Sequence, residues 1–466
     1  TPIFLTISPL GQDNTKRPNK SDPSVQGLES NDVTPSGHLI DINWDISDSI
    51  VFKSITSYRE LDSFNYQDYL SGRFGPGPAL ITRDNLEQDQ WSQEFQVLGN
   101  ALDDRVEFVT GLYYFTENAE TMNVTTIPSI SITTITNAAA ENSAYAVYGQ
   151  ATYTPLLLEQ RMHITVGGRW GEDDRAAELE TGIMPVPGSV LVTGTGRGEE
   201  KSSNFSPTLI LAYDATDSVH TYAKIARGYK SGGFNTRASS IQKFEEGYDQ
   251  EDLTSFELGL KSQWWDNRVR INGAIFQSKY NDIQINAQSN LNDPSKTDVL
   301  NAGKATINGL EVDITALLTQ SVRVGLSYAY LDPKYDEIID GRGVNVTDNY
   351  TFIFSPENSV FANLDVDIAT LPFGELVGNL NYAWQDDQYS QADLTNGEVL
   401  IQEYGVLGAR LTLDNISGAF LGKVQVSIWG KNLMDEEYTT LRAPLFGGYR
   451  AFGNPRSYGI DLAYEF

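Results

Sequence analysis

Two groups of cationic and aromatic residues have the side-chain types that would bind a ligand. One group, Arg227, Tyr229, Lys230 and Phe234, lies where a predicted strand enters a long loop. Arg73 lies in a second loop, beside further aromatic residues. Guanidinium and ammonium groups pair with anions, and aromatic rings make apolar and cation–π contacts. The two groups therefore predict a site for an anionic ligand, although each residue also suits the wall or the rim of a β-structure.

Histidines, carboxylates and glycines offer little that would catalyse a reaction or hold a metal. His38, His163 and His220 lie in separate predicted strands, and a chain without cysteine would need carboxylates to complete a zinc site. The acidic cluster at 172–174 lacks the spacing of a calcium loop. The glycines of 194–198 do not have the spacing of a phosphate loop and indicate a flexible loop. We therefore expect no catalytic residue, no metal site and no cofactor, and a protein that is not an enzyme.

The composition narrows the classes of protein that could carry these residues. The chain has 466 residues and a formal charge of −29, which argues against a nucleic-acid partner because phosphate binding needs a basic surface. Tyr contributes 24 residues, Phe 20 and Gly 40, but Met only 4, so the composition suits pleated strands and turns better than long helices. No apolar run is long enough for a transmembrane helix. A large all-β protein is the expectation.

Apolar residues alternate with polar or small residues along much of the chain. Clear examples run from Val322 to Tyr330 and from Val424 to Ile428. Alternation predicts strands with two different faces, and it occurs in soluble sandwiches as well as in barrels. About 17 strands can be counted in this way, most of them longer than the ordinary globular strand. Their predicted starts lie near residues 37, 49, 85, 105, 143, 161, 202, 219, 252, 268, 298, 322, 351, 375, 400, 422 and 456.

The predicted connections alternate between short turns and long loops. Short turns include 47–49, 214–218 and 265–267, and they are rich in Asp, Ser and Asn. Long loops are predicted around 63–84, 117–140, 174–200, 230–250, 332–350, 386–398 and 434–453. An antiparallel meander with its short turns at one end and its long loops at the other is typical of outer-membrane β-barrels.

Several segments resemble strands of the TonB-dependent receptors of bacterial outer membranes. The last strand places Tyr458, Ile460, Leu462, Tyr464 and Phe466 at every second position and resembles the terminal signal that the outer-membrane assembly machinery reads. Residues 428–438 resemble the penultimate-strand motif of the family. Four other segments resemble further barrel strands, and they follow in the family's usual order: 145–153, 222–235, 276–283 and 301–312. The resemblance covers the chain from about residue 37 to its end.

The resemblance implies an antiparallel transmembrane β-barrel, with about 17 strands present of a 22-stranded barrel. We expect residues 1–36 to be a polar tail of an extracellular loop and residues 37–466 to be a barrel that is incomplete at its N-terminal side. The plug and the TonB box of the family are not found in this sequence. Both are expected in a preceding region that couples the receptor to the TonB system.

The resemblance also implies a function in the outer membrane of a Gram-negative bacterium. The expected activity is uptake of a scarce ligand, a ferric siderophore, driven by the TonB system of the inner membrane. Arg227, Tyr229, Lys230, Phe234 and Arg73 are the expected substrate-binding residues. The other expected partners are the assembly machinery, lipopolysaccharide and phospholipid.

Three alternatives remain open from the sequence. A receptor of the same family could take up cobalamin, haem or a carbohydrate. A chain without a plug could form a passive porin-like channel. A secreted β-rich protein that binds or cleaves glycans would also show alternating strands.

Overall fold

The computed structural model describes residues 17, 31–68, 80–128, 131–186, 188–287, 297–301, 303–339, 343–396, 399–416, 422–443 and 449–465. Arg73, Phe466 and most of the predicted loop tail lie outside these residues, so the expectations for them stay predictions. Strands dominate the described chain, and no helix within it has the length and apolar character needed to cross a membrane.

The described elements are, in chain order, β1 (Asp32–Ser47), β2 (Ile50–Asp68), β3 (Ile81–Ala101), β4 (Val106–Ile127), β5 (Ile132–Tyr153), β6 (Met162–Val186), β7 (Ser189–Thr216), β8 (Val219–Lys230), α1 (Ile241–Glu246), β9 (Glu251–Trp264), β10 (Val269–Asn281), β11 (Gln284–Ala287), β12 (Asp298–Asn301), β13 (Gly303–Thr319), β14 (Val322–Ile338), β15 (Asn358–Leu371), β16 (Gly374–Gln385), β17 (Gln388–Tyr389), β18 (Leu400–Ile401), β19 (Tyr404–Ile416), β20 (Lys423–Lys431), β21 (Thr439–Ala443), β22 (Tyr449–Phe452) and β23 (Ser457–Glu465). Short 3-10 turns occur at Leu157–Gln160, Thr347–Asn349 and Leu394–Asn396.

A single antiparallel sheet of 17 strands forms the body of the described chain. Each of its strands pairs with the next one along the chain, and the hairpins β11–β12, β17–β18 and β21–β22 lie in the loops between them. The all-β class, the antiparallel meander and the predicted number of strands are therefore confirmed. Alternation succeeded as a predictor because each strand presents two chemically different faces.

Two segments that were predicted as long loops are extended hairpins, so these two predictions are wrong. β4 and β5 remain paired as far as Ile127 opposite Ile132, and β6 and β7 as far as Val186 opposite Ser189. The segments predicted as loops at 117–140 and 174–200 are therefore mostly strand. Thr, Val and Ile are frequent in both, and branched side chains favour extended backbone.

The first strand begins earlier than the sequence indicated. β1 starts at Asp32, which pairs with Phe64, so residues 32–36 are strand residues that the predicted boundary at residue 37 assigned to a loop. Pro35 pairs opposite Leu61 although it has no N–H group to donate. A proline is tolerated here because β1 has a paired neighbour on only one side among the described strands. The rest of the predicted domain division stays a prediction.

The two faces of the sheet differ in chemistry. The apolar face, defined here by the side that carries Val166, Leu209, Ile225 and Phe256, bears aliphatic side chains and aromatic pairs such as Tyr145 with Trp170, whose ring centroids are 5.7 Å apart. The polar face is the opposite side, and its side chains bond across strands. Examples are Tyr148 to Glu94, Asn379 to Asp365 at 2.7 Å, and Arg410 to Asp461 at 2.8 Å.

Candidate functional site

The loop of residues 231–250, here the β8–β9 loop, docks a short helix onto the polar face of the sheet. Ser240 caps α1 by accepting a hydrogen bond from the backbone N–H of Lys243 at 3.1 Å. The helix ends at Gly247, whose φ of +61° is a conformation that side chains disfavour. Between these ends, Phe244 is 0% exposed and packs with Leu179 of β6 and with Ala238. The loop is thus attached by an apolar anchor.

Three glycines on β7 make room for this anchor. Gly194, Gly196 and Gly198 lie at every second position and form a depression that we name the glycine groove. A β-carbon on Gly194 would lie 2.8 Å from Ile241, and one on Gly198 would lie 2.1 Å from Phe234. The interpretation of 194–198 as a flexible loop is therefore wrong. These residues belong to a strand, and their missing side chains admit the loop.

β8 separates from β7 four residues before the β8–β9 loop begins. Their ladder ends at Thr208 opposite Ala226, and the next β7 residue is Pro207, which cannot donate a ladder hydrogen bond. Side chains replace the lost backbone bonds, since Asn204 donates to Asp252 at 3.0 Å. Arg175 also donates through Nε to Ser231 at 2.8 Å. The start of the loop is therefore tied to β6 and β7 by polar contacts.

The structure places four of the five predicted binding residues, all except Arg73, in one region but gives them different surroundings. Tyr229 donates to Asp173 at 2.5 Å, and Phe234 packs against Phe244 with ring centroids 5.7 Å apart. Arg227 is ion-paired with Asp252 at 3.2 Å, and Lys230 is exposed. Tyr229 and Phe234 therefore hold the loop in place, whereas Lys230 has the freest access to a ligand. Their role in binding stays a prediction.

A small polar cavity lies between α1 and β12. Its volume is about 180 Å³, below the roughly 300 Å³ at which pockets for drug-sized ligands begin. Two of the carboxyl groups in its wall have partners: Glu246 accepts from Lys243 at 2.5 Å, and Asp298 accepts from Ser239 at 2.7 Å. The bond from Lys243 lowers the pKa of Glu246, while burial raises the pKa of Tyr248. The cavity fits a few water molecules or one small polar group.

A larger groove runs between α1 and the ends of β3–β7. Its volume is about 860 Å³, within the range of sites for small ligands. Its lining includes Glu245 of α1 and five charged strand residues, Glu87, Glu120, Glu178, Glu180 and Arg197. The side chains of the five strand residues alternate with positions such as Leu179 and Gly196, which contact α1, and therefore lie on the opposite face of the strands. Arg197 is itself paired with Glu178 at 3.6 Å and Glu199 at 3.1 Å. Sequence analysis missed this groove, because its residues come from five strands and a helix that only the fold brings together.

Two of the three histidines share one carboxylate. His163 Nε2 lies 3.0 Å from Asp214 Oδ2, and His220 Nδ1 lies 2.6 Å from Asp214 Oδ1. Nothing in the sequence indicated this, since the contact depends on the register of β6, β7 and β8. Among the described residues, no group of three or more His, Asp or Glu side chains has the arrangement to hold a metal ion.

Comparisons with known proteins identify the fold. The chain is 27% identical over 275 residues to the pesticin receptor of Yersinia enterocolitica, covering 57% of this chain and 36% of that protein. It is 21% identical over 323 residues to the ferric-pyoverdine receptor PbuA of Pseudomonas sp. strain M114, covering 68% of this chain and 36% of that protein. The chain thus spans about a third of the length of these relatives.

Solved structures show the same architecture. The ferric yersiniabactin uptake receptor FyuA of Yersinia pestis superimposes with a TM-score of 0.72 at 18% identity, covering 94% of this chain and 61% of that one. The siderophore receptor PiuA of Acinetobacter baumannii gives 0.68 at 15% identity, covering 93% and 64%. The family model described as "TonB dependent receptor-like, beta-barrel" matches residues 4–433. The chain therefore belongs to the TonB-dependent receptor-like β-barrel family.

Proposed function

We propose that the intact protein is an outer-membrane receptor that takes up a ferric siderophore with energy from the TonB system. Barrels of this family are outer-membrane proteins of Gram-negative bacteria, and both relatives named above are receptors. Since the chain spans about a third of those relatives, the activity, the ligand and the partners of the whole protein are part of this proposal. The ligand would be imported unchanged, so the protein would act as a transporter and not as an enzyme.

The observation that carries the proposal is the contrast between the two faces of one long-stranded sheet. The apolar face suits contact with lipid, and the hydrogen-bonded polar face suits a lumen. The β8–β9 loop adds a docked helix beside a ligand-sized groove at the loop end of the sheet. A scarce ligand would meet this end first.

The charge of that groove bears on the kind of ligand. Glu245, on α1, adds negative charge on the side of the strands that holds the helix, where it would repel an anionic group. Lys230 is exposed at the end of β8, where the β8–β9 loop begins. A ferric chelate would therefore meet Glu245 and Lys230, two groups of opposite charge, at this end of the sheet.

Other partners follow from the same proposal. The TonB system would act through a region N-terminal to the barrel strands. The assembly machinery would read the alternating terminal residues Tyr458, Ile460, Leu462, Tyr464 and Phe466. Lipopolysaccharide and phospholipid would surround the apolar face.

Ligand binding to the purified intact protein, followed by planar-bilayer conductance, tests the proposal. Ferric yersiniabactin, ferric pyoverdine, cobalamin, haem and an oligosaccharide form the panel. We expect saturable binding of a ferric chelate and little steady conductance. Binding of none of the chelates, together with a stable open conductance, would instead identify a passive channel.

A further inference from the structure

Five long loops lie at one end of the sheet, and contacts between their described residues join each loop to the next. They are the β8–β9 loop and the loops here called β10–β13 (282–302), β14–β15 (339–357), β16–β19 (386–403) and β20–β23 (432–456). The regular elements in them are short: α1 has 6 residues, and the hairpin strands have between 2 and 5. Such helices and hairpins are marginal in water, so each loop depends on its surroundings for order.

Hydrogen bonds make the first interface, between the β8–β9 loop and the hairpin β11–β12. Ser239 donates to the carboxylate of Asp298 from its backbone N–H at 2.8 Å and from its hydroxyl group at 2.7 Å. Asn301 accepts from the backbone N–H of Asp249 at 2.8 Å and donates to the carbonyl group of Asp249 at 2.7 Å. Gln284, on β11, donates to the same carbonyl group at 3.0 Å. Both strands of the hairpin are therefore tied to the β8–β9 loop.

An apolar cluster makes the second interface, between the β10–β13 and β14–β15 loops. Ile285 is 4% exposed, and it packs with Ile338, which ends β14 and is 2% exposed. Phe352 of the β14–β15 loop packs against this cluster and stacks on Tyr335, with ring centroids 4.3 Å apart. Because the cluster is shared, neither loop can leave it without exposing apolar surface of the other.

Backbone groups make the third interface, between the β14–β15 and β16–β19 loops. The N–H of Thr351 donates to the carbonyl group of Ala392 at 2.9 Å, and the N–H of Phe354 donates to that of Tyr389 at 2.8 Å. Ile353 and Tyr389 also form an isolated parallel bridge. The two loops thus share a short stretch of strand-like pairing.

Ser390 makes the fourth interface, between the β16–β19 and β20–β23 loops. Its side chain is 6% exposed, and its hydroxyl oxygen accepts from the backbone N–H of Arg442 at 3.2 Å. The guanidinium group of Arg442 in turn donates to the carbonyl group of Leu400 at 2.8 Å. A buried hydroxyl group with these partners is costly to remove, because the N–H would lose its acceptor.

We propose that these five loops open and close as one cooperative unit, which we call the loop belt. Each interface joins elements that are too short to be stable alone, so loosening one of them removes support from the next. A ligand that holds the β8–β9 loop would then also hold the β20–β23 loop, although the two do not adjoin in the series of interfaces. Use of the belt to enclose a transported ligand rests on the proposed function.

Hydrogen exchange of the intact protein in detergent, measured by mass spectrometry, tests the proposal. Asn301→Asp replaces an amide donor with a carboxylate oxygen, which would repel the carbonyl group of Asp249. We expect exchange to accelerate roughly tenfold in all five loops, because one lost buried contact would shift a shared opening equilibrium. Asn286→Asp makes the same chemical change at an exposed position on β11 and should leave exchange in all five loops unchanged.

A second pair of variants perturbs the belt from its other end. Ser390→Ala removes the acceptor of the Arg442 N–H and should accelerate exchange at 241–247, which is three interfaces away. Thr395→Val removes a hydrogen bond to Asp393 within a single loop and should not. Acceleration confined to the loops beside the substituted residue, in both Asn301→Asp and Ser390→Ala, would overturn the proposal.

Exchange without a ligand does not depend on transport, so the two proposals can fail separately. Loops that open together in a protein that binds no ferric chelate would count against the proposed function alone. Loops that open one by one in a protein that imports iron would count against the loop belt alone.

Discussion

A β-carbon on Gly198 would lie 2.1 Å from Cε1 of Phe234, so β7 and the β8–β9 loop meet at a position that only glycine can occupy. Sequence analysis assigned Gly198 to a flexible loop and Phe234 to ligand binding. Their contact shows that both serve to fix the loop on the sheet. The position of the loop in turn determines the shape of the groove beside α1.

Gly198→Val should detach the β8–β9 loop, because the branched side chain would occupy the space of Phe234. Overpacking of this kind costs about 1–3 kcal/mol. This free energy would raise the equilibrium constant for opening of the loop. Limited proteolysis within residues 231–250 should accelerate by the same factor as that equilibrium constant. Gly228→Val is the control, because nothing lies within 4 Å of an added β-carbon there. Equal protection of the loop in both variants would show that the glycine groove does not hold it.

Phe244→Ala should loosen α1 while leaving the sheet intact. Phe244 is fully buried, and removing a buried phenylalanine side chain costs about 3–5 kcal/mol. We expect faster hydrogen exchange at the amides of 241–247 and unchanged exchange in β6 and β7. Gln242→Ala, on the exposed side of the helix, should behave as the wild type. Unchanged exchange in Phe244→Ala would mean that α1 is held by other contacts.

Lys230 and Tyr229 should respond differently to conservative substitution. Lys230→Gln removes an exposed charge and should weaken binding of a ferric chelate about five- to tenfold, without a change in the melting temperature. Tyr229→Phe removes the hydrogen bond to Asp173 and should instead lower the melting temperature. Calorimetric titration and thermal unfolding of both variants separate the two effects. A Lys230→Gln variant that binds as tightly as the wild type would remove Lys230 from the site.

The contacts of Asp435 should weaken in acid. The backbone N–H of Arg456 donates to Asp435 at 3.3 Å and Arg17 lies 3.4 Å away, and together these groups hold the pKa of Asp435 below its usual value. A lowered pKa in the folded state means that the stabilisation is present above the ordinary pKa of about 3.9 and is lost as the pH falls through the lowered value. Exchange at 432–438, corrected for intrinsic rates, should therefore rise at low pH. In Asp435→Asn this additional rise should disappear; if it persists, another group is responsible.

The strands were predictable because alternation is a local property. Most predicted starts, such as residues 219 and 322, agree with the structure to within a residue or a few. β5 and β7 were the main exceptions, because loop-like composition in 117–140 and 174–200 conceals long hairpins. Turn-forming residues such as Gly and Asn are also compatible with extended backbone when a neighbouring strand pairs with them.

The candidate site was less predictable, because it depends on register. Leu179 and Gly196 lie on different strands, and only the pairing of β6 and β7 places them side by side beneath α1. His163 and His220 meet at Asp214 for the same reason. A shift of one residue in any of these ladders would exchange the two faces, and composition does not specify that register.

Radioiron uptake measures the central claim most directly. Cells that express the intact protein should accumulate iron from a ferric siderophore that the protein binds, and deletion of the TonB system should abolish this accumulation. The Lys230→Gln variant lacks one proposed ligand contact. It should show reduced uptake at low siderophore concentration. Uptake that continues at the same rate without TonB would contradict the account.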